Sequence, residues 1–212
     1  MFHKNSMFNV DVSRWNTSSA ITMEGMFYGA QKFDQEVKHW DVSRVADMAY
    51  MFRSCRQFNR GLSQWKTGNV TRMRYMFWGC SKFNKNINRW NVAKVTDMHA
   101  MFVDCTSFNQ DLSKWKVGAV TDMYGMFWGA SKFNKPIGNW DMSNVVSIGS
   151  MFAYASRFNQ NISRWNGGWV RVVKDLSPSA SCLRVFSLLV SDDSTTHSVS
   201  TACLSFLSCV RA

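Results

Sequence analysis

The segment FNQDLSKWKVGAVTDMYGMFWGASK, residues 108–132, decides how the chain is organised, because it matches the rest of the sequence at a shift of 25 residues. A Met-Phe pair keeps this step from Met26/Phe27 to Met151/Phe152. The other two series are Phe8, Phe33, Phe58, Phe83, Phe108, Phe133 and Phe158, and Trp15, Trp40, Trp65, Trp90, Trp115, Trp140 and Trp165. Self-similarity at a fixed period is typical of repeat proteins. We therefore interpret residues 1–173 as one array.

A single 25-residue unit is too small to bury a core of its own, so we expect neighbouring units to share one core by stacking. Within a unit, Met26, Phe27, Ala30 and Phe33 occur at i, i+1, i+4 and i+7, which predicts a short helix with one apolar face. The segments at 110–115 and 120–123 predict short strands that pair with the next unit. The sequence thus predicts an α/β repeat solenoid of about six complete coils, with short strands and short helices stacked in 25-residue coils.

Asn follows the repeated Phe in every unit except one, where Asp34 takes its place. Asn tolerates left-handed backbone conformations, and its side chain bonds to nearby backbone groups. We expect this series to be structural.

The pattern FNxDhSxWxVxxVTDMxxMFxGAxxF resembles the repeat of the BspA-like leucine-rich-repeat surface proteins. The resemblance covers about 80% of the chain. It implies a right-handed, leucine-rich-repeat-like solenoid found in surface and adhesion proteins, with no enzymatic activity attached to the repeat. It supplies no catalytic residues, and the cell-surface or extracellular location that we expect rests on it alone.

The repeat pattern ends after Val173, where Leu176 and Ser177 occupy the Met-Phe positions. Residues 174–212 form a Ser-rich segment outside the repeat. Two explanations stay open for this tail. It is an authentic segment, either a poorly packed cap over the last coil or disordered, or it is a wrongly read sequence produced by a misjudged splice site or a frame change. Because Met1 lies inside a coil, we also expect the chain to be a fragment.

Basic residues exceed acidic ones by 11, and part of this excess recurs at fixed repeat positions. Stacked like charges attract anions, although a solvated charged face explains the same pattern. Two Trp residues, at 78 and 128, occupy a variable position and are predicted to be exposed. The candidate binding surface consists of Lys32, Trp78, Lys82, Arg89, Lys114, Trp128, Lys132 and Arg157. Basic residues do not alternate with aromatic ones in a nucleic-acid motif.

No residue set in the sequence predicts catalysis, a metal site or a cofactor. Cys55, Cys80 and Cys105 alternate with Ala at one repeat position, which predicts free thiols in a small core slot. Stacking would also bring them close enough for a disulfide or a metal in principle. The four His residues, at 3, 39, 99 and 197, share no repeat position.

The sequence contains no apolar segment long enough to span a membrane. We expect a non-catalytic surface binding, adhesion or protein-interaction module with an unknown protein or glycan partner. The alternative is an intracellular nucleic-acid-binding or scaffold protein that uses the basic face.

Overall fold

The computed structural model of this chain describes residues 5–165, which form six complete 25-residue repeats beginning at Phe8, Phe33, Phe58, Phe83, Phe108 and Phe133, followed by the start of a seventh. The tail and the predicted boundary at residue 173 lie outside these residues. Within 5–165 the backbone has neither an α-helix nor an extended strand. Its regular pairing consists of isolated parallel bridges that link one residue per repeat: Thr22, Asp47, Arg72, Asp97, Asp122 and Ser147.

The predicted α/β class is therefore wrong, and so are the short helices and strands on which it was based. The leucine-rich-repeat-like architecture, which the resemblance implied, fails with them. What the structure contains is a stack of repeats made of short turns and irregular segments.

The Met-Phe segment shows why no helix forms there. Its amides alternate between two kinds of acceptor. Those of Gly25, Phe27 and Gly29 donate to carbonyl oxygens of the next repeat at 2.8, 2.9 and 2.7 Å. Those of Met26 and Tyr28 donate three residues back within their own repeat, at 3.2 and 3.0 Å. An α-helix requires every amide to donate four residues back, so a segment that shares half of its amides with its neighbour cannot be helical.

Left-handed residues produce this alternation. Two positions in each repeat have positive φ, and Gly occupies them at Gly25 (59°) and Gly29 (78°). In other repeats the same positions hold residues with a side chain, such as Tyr50 (60°) and Ser54 (63°). A left-handed residue interrupts an α-helix. The apolar spacing that predicted a helix is equally compatible with a series of turns.

The core consists of columns of identical side chains. The rings of Phe77 and Phe102 stack at 5.6 Å, and those of Phe83 and Phe108 at 5.9 Å. The rings of Phe77 and Phe83, six residues apart along the chain, also stack on each other, at 4.2 Å. The prediction that the repeated Phe and Trp side chains fill the core is confirmed, since Trp40, Trp65 and Trp90 are all buried.

Each core Trp is also anchored by its indole nitrogen. The Nε1 of Trp90 donates to the Leu62 carbonyl oxygen at 2.9 Å, in the preceding repeat. The same bond joins Trp40, Trp65, Trp115, Trp140 and Trp165 to the residue 28 positions earlier. Buried indole nitrogens need such a partner, and this one fixes the register between repeats.

The Asn series forms a second ladder on the outside of the core. The backbone amide of Asn134 donates to Oδ1 of Asn109, and the amide of Asn109 donates to Oδ1 of Asn84, both at 3.0 Å. Asp34 replaces Asn without a break, because its carboxylate accepts the amide of Asn59 at 3.0 Å. The prediction that this series is structural is confirmed.

Replacing Asn109 with Ala tests the ladder. The change leaves the half-buried amide of Asn134 without its acceptor, and we expect the free energy of unfolding to fall by about 1–2 kcal/mol. Asn109→Asp keeps the accepting oxygen, as Asp34 does, and should cost much less. Urea unfolding of the three proteins measures the difference, and equal losses in both variants would contradict the ladder's role.

Candidate functional site

The candidate binding residues predicted from the basic repeat positions are exposed, but the structure does not bring them into one site. The six basic side chains at 32, 82, 89, 114, 132 and 157 are all exposed, and none has an ion-pair partner among the described residues. Their columns are interrupted, since Gln57 and Ser107 stand between the lysines of the first. Arg89 also lines a shallow surface depression of about 410 Å³, together with Ser63, Lys66 and Asn91.

The predicted exposure of the two variable Trp residues is only partly correct. Trp78 and Trp128 are both half-buried. The ring of Trp128 lies 6.0 Å from that of Tyr154. Trp78 belongs to a larger group of side chains, which the sequence analysis missed.

This group, here called the aromatic–arginine cluster, consists of Tyr28, Tyr50, Arg53, Arg74, Tyr75 and Trp78. Its members come from the first three repeats and occupy three repeat positions whose residue type changes from unit to unit. All six are half-buried. The conclusion that aromatic and basic residues are not interleaved therefore holds along the sequence but fails in space.

Arg53 lies at the centre of the cluster. Its guanidinium carbon is 4.3 Å from the ring centroid of Trp78 and 5.0 Å from that of Tyr28. These two residues occupy the same position as Arg53 in the following and the preceding repeat, so they flank it on both sides. Tyr75 and Tyr50 lie at 5.5 and 5.7 Å. A guanidinium is attracted to aromatic faces in this way, and contact with four rings holds Arg53 in place.

Arg74 contacts the two stacked tyrosines of the cluster, Tyr50 and Tyr75. Its guanidinium carbon lies 5.1 Å from the ring of Tyr75, and its Nη2 donates to the hydroxyl of Tyr50 at 3.0 Å. Nη1 is 3.9 Å from a carboxylate oxygen of Asp97. Its Nε is buried and has no hydrogen-bond partner within the described residues. Arg74 is thus partly neutralised, whereas Arg53 is not.

The cluster continues into the next two repeats. The ring of Tyr75 lies 5.0 Å from that of His99, which stacks on Tyr124 at 5.3 Å. The Nδ1 of His99 lies within hydrogen-bonding distance, 3.1 Å, of a carboxylate oxygen of Asp122. One face of the stack therefore carries aromatic side chains from Tyr28 to Tyr124.

A repeat stack with a periodic core and one variable face is the class of protein that these observations define. The sequence profile of a family described as "Mycoplasma protein of unknown function, DUF285" matches residues 1–87 and again residues 79–183, and the chain belongs to this family. No curated protein and no solved structure matches the chain. The finer likeness to BspA-like surface proteins has no support from a named relative.

Residues 5–165 contain no group of three or more His, Cys, Asp or Glu side chains that could hold a metal ion. In this part of the chain, no helix has the length and apolar character needed to cross a membrane.

The prediction of free thiols in a small core slot is confirmed. Cys55, Cys80 and Cys105 are unpaired and fully buried. Each thiol donates to the Phe carbonyl oxygen of the preceding repeat, at 3.1, 2.9 and 2.9 Å. The pKa of each of the three thiols is raised above its ordinary value, chiefly because the thiol is buried. For Cys80, the neighbouring thiols of Cys105 and Cys55 raise the pKa further.

This arrangement predicts a pH dependence of stability. A thiol with a raised pKa in the folded state contributes stability below its unfolded pKa of about 8.5. That contribution is lost as the pH rises, because the unfolded chain can then release the proton and the folded chain cannot. We expect the loss to be about 1.4 kcal/mol per thiol one pH unit above the unfolded value.

The matched control replaces all three with Ala, the residue that repeats 1, 5 and 6 carry at Ala30, Ala130 and Ala155. Urea unfolding of both proteins between pH 7 and pH 9.5 under reducing conditions should show a steeper fall for the parent chain. Parallel curves would contradict the assignment.

Proposed function

We propose that this protein is a non-catalytic interaction module that binds another molecule through the variable face of the repeat stack. The observation that carries the proposal is the aromatic–arginine cluster, in which side chains from three repeats meet around Arg53. Tyr, Trp and Arg are the residues that most often dominate the energy of protein interfaces.

The division of labour within the repeat supports the same proposal. Invariant Phe, Trp and Met side chains fill the core, and the Asn and Trp ladders fix the spacing of the repeats. The cluster positions contribute nothing to either ladder, and their residue type changes between repeats. A partly exposed group of aromatic side chains is typical of an interaction site.

The non-catalytic part of the proposal has its own support. The three core thiols are buried and protonated, which removes the reactive thiolate form. His39 is exposed at a position that other repeats fill with Arg, Lys, Gln or Asn. Neither arrangement suits a nucleophile with an adjacent base.

The surface or adhesive location is proposed from the resemblance to BspA-like proteins. The rival function is nucleic-acid binding through the exposed basic columns, favoured by the exposure of all their side chains. The two proposals place the binding energy on different residues, so they can be separated by mutation.

Glycan and protein arrays probed with the full chain test the function. We expect binding to be lost in a Tyr75→Ser/Trp78→Ser variant and kept in one with Lys82, Arg89, Lys114 and Lys132 replaced by Gln. The first variant removes the cluster's largest contact surfaces, while the second removes only exposed charge. Thermal unfolding of each variant verifies that it is folded.

The opposite pattern, together with a steep dependence on salt and binding to an oligonucleotide probe, would favour the rival function, because such binding releases counterions from phosphates. Saturable turnover of a substrate that one point substitution abolishes would overturn both proposals.

A further inference from the structure

The orientation of the rings in the aromatic–arginine cluster limits what it can bind. Tyr50 and Tyr75 stack face to face, with ring centroids 4.7 Å apart and planes 19° apart. Trp78 and Tyr28 present their faces to Arg53. These contacts inside the cluster reduce the ring surface that is left for stacking a sugar ring or a nucleobase. The edges of aromatic rings carry positive partial charge, which suits a negative group.

Arg53 adds a stronger preference for a negative group. Four ring centroids lie 4.3–5.7 Å from its guanidinium carbon, and contact with aromatic rings does not use up the N–H donors of a guanidinium. Within residues 5–165, the arginine side chains that donate a hydrogen bond or form an ion pair are those of Arg60, Arg72 and Arg74, and Arg53 is not among them. A guanidinium presents its donors as a planar fork that suits two oxygens of one anionic group. Contact with four rings orients this fork before any ligand arrives, which lowers the entropic cost of binding.

The surroundings of the cluster argue against a polyanion. The bridge column beside it carries three carboxylates, those of Asp47, Asp97 and Asp122. Asp47 pairs with Arg72, Asp97 lies near Arg74, and Asp122 pairs with His99. A nucleic acid or a sulfated glycan running along the stack would pass these acids. A single carboxylate bound at Arg53 would not pass these acids, and apolar residues next to it in the partner could pack on the ring edges.

We propose that the aromatic–arginine cluster binds a carboxylate-bearing segment of another protein, with Arg53 receiving the carboxylate of an Asp or Glu side chain. This inference rests on the proposed interaction function and adds the chemistry of the partner. It assigns Arg53 the role of the charged anchor and the surrounding Tyr and Trp side chains the role of holding and shielding it. The exposed basic columns have no part in it.

A phage-displayed library of random linear peptides, selected on the full chain and depleted on an Arg53→Gln variant, tests the proposal. The enriched peptides should share an Asp or Glu residue with apolar or aromatic neighbours. Changing that acid to its amide in a synthetic peptide should weaken binding by roughly ten- to hundredfold, as expected for the loss of a charge-assisted hydrogen bond. Fluorescence anisotropy of the labelled peptide measures the affinity.

Two further variants separate geometry from charge. Arg53→Lys keeps the positive charge but loses the planar fork, and should weaken peptide binding by about tenfold or more. Arg56→Gln removes an exposed arginine from the same repeat, and should leave the affinity unchanged. Thermal unfolding of both variants shows whether the stack of repeats is intact. If Arg53→Gln fails to fold, Trp78→Ala replaces it as a test, because it removes one of the two rings that flank Arg53 and should also weaken peptide binding.

The outcomes distinguish this inference from the proposed function. Peptides that lack an acid, or that bind the Arg53→Gln variant equally well, would overturn the carboxylate assignment and leave an interaction module. Binding of a heparin oligosaccharide or an oligonucleotide that depends on Arg53 would overturn it in favour of a polyanion. An absence of any binding, in this selection and on the arrays, would overturn both.

Discussion

The alternating backbone hydrogen bonds of the Met-Phe segment are the constraint on which the remaining structure depends. Within this segment, every second amide, such as those of Gly25 and Phe27, donates a hydrogen bond to the next repeat. The amides between them, such as that of Met26, donate to a carbonyl oxygen of their own repeat. The arrangement satisfies buried backbone groups without a helix or a sheet. It also requires equal repeat lengths, since one inserted residue would move every donor in that unit away from its acceptor.

The side-chain columns follow from this register. Once backbone bonds place equivalent residues beside each other, the ring of a Phe such as Phe83 stacks on the equivalent Phe108, and the Trp90 indole donates to the carbonyl oxygen of Leu62. Aromatic stacking and the indole bond then stabilise the register that produced them. The position shared by Ala30 and Cys55 is fully buried and holds only Ala or Cys in the six repeats, which indicates a slot that accepts only a small side chain. The core is thus repetitive because the backbone contacts are repetitive.

The sequence was sufficient to predict the features that repeat at a fixed step, and insufficient for those that depend on backbone conformation. The buried Phe and Trp columns, the thiol slot at Cys80 and the structural Asn series could be predicted because they depend on residue identity alone.

The helix could not be excluded from apolar spacing, although Gly25, Gly29, Gly79, Gly125 and Gly129 were a signal that left-handed residues interrupt it. Tyr50 gives no such signal. The aromatic–arginine cluster was missed because its members are far apart along the chain: Arg53 follows Tyr28 by 25 residues and precedes Tyr75 by 22. Overlaying the repeats and reading the non-repeating positions together would have found them.

A stack of this kind separates what folds the chain from what the chain presents. Substituting Arg53 or Trp78 changes no ladder, since both residues use only their backbone atoms in the hydrogen bonds between repeats. The same backbone bonds nevertheless set the distance between repeats and therefore the spacing at which Tyr28, Arg53 and Trp78 follow one another. Equivalent Phe rings of neighbouring repeats stack at 5.6–6.0 Å in the core, so the distance between repeats allows flat groups to stack. For the same reason the guanidinium of Arg53 can lie between the rings of Tyr28 and Trp78. The periodic core thus determines the geometry of the non-periodic face, and a ligand group bound at Arg53 meets a site whose dimensions are fixed by residues that it never contacts.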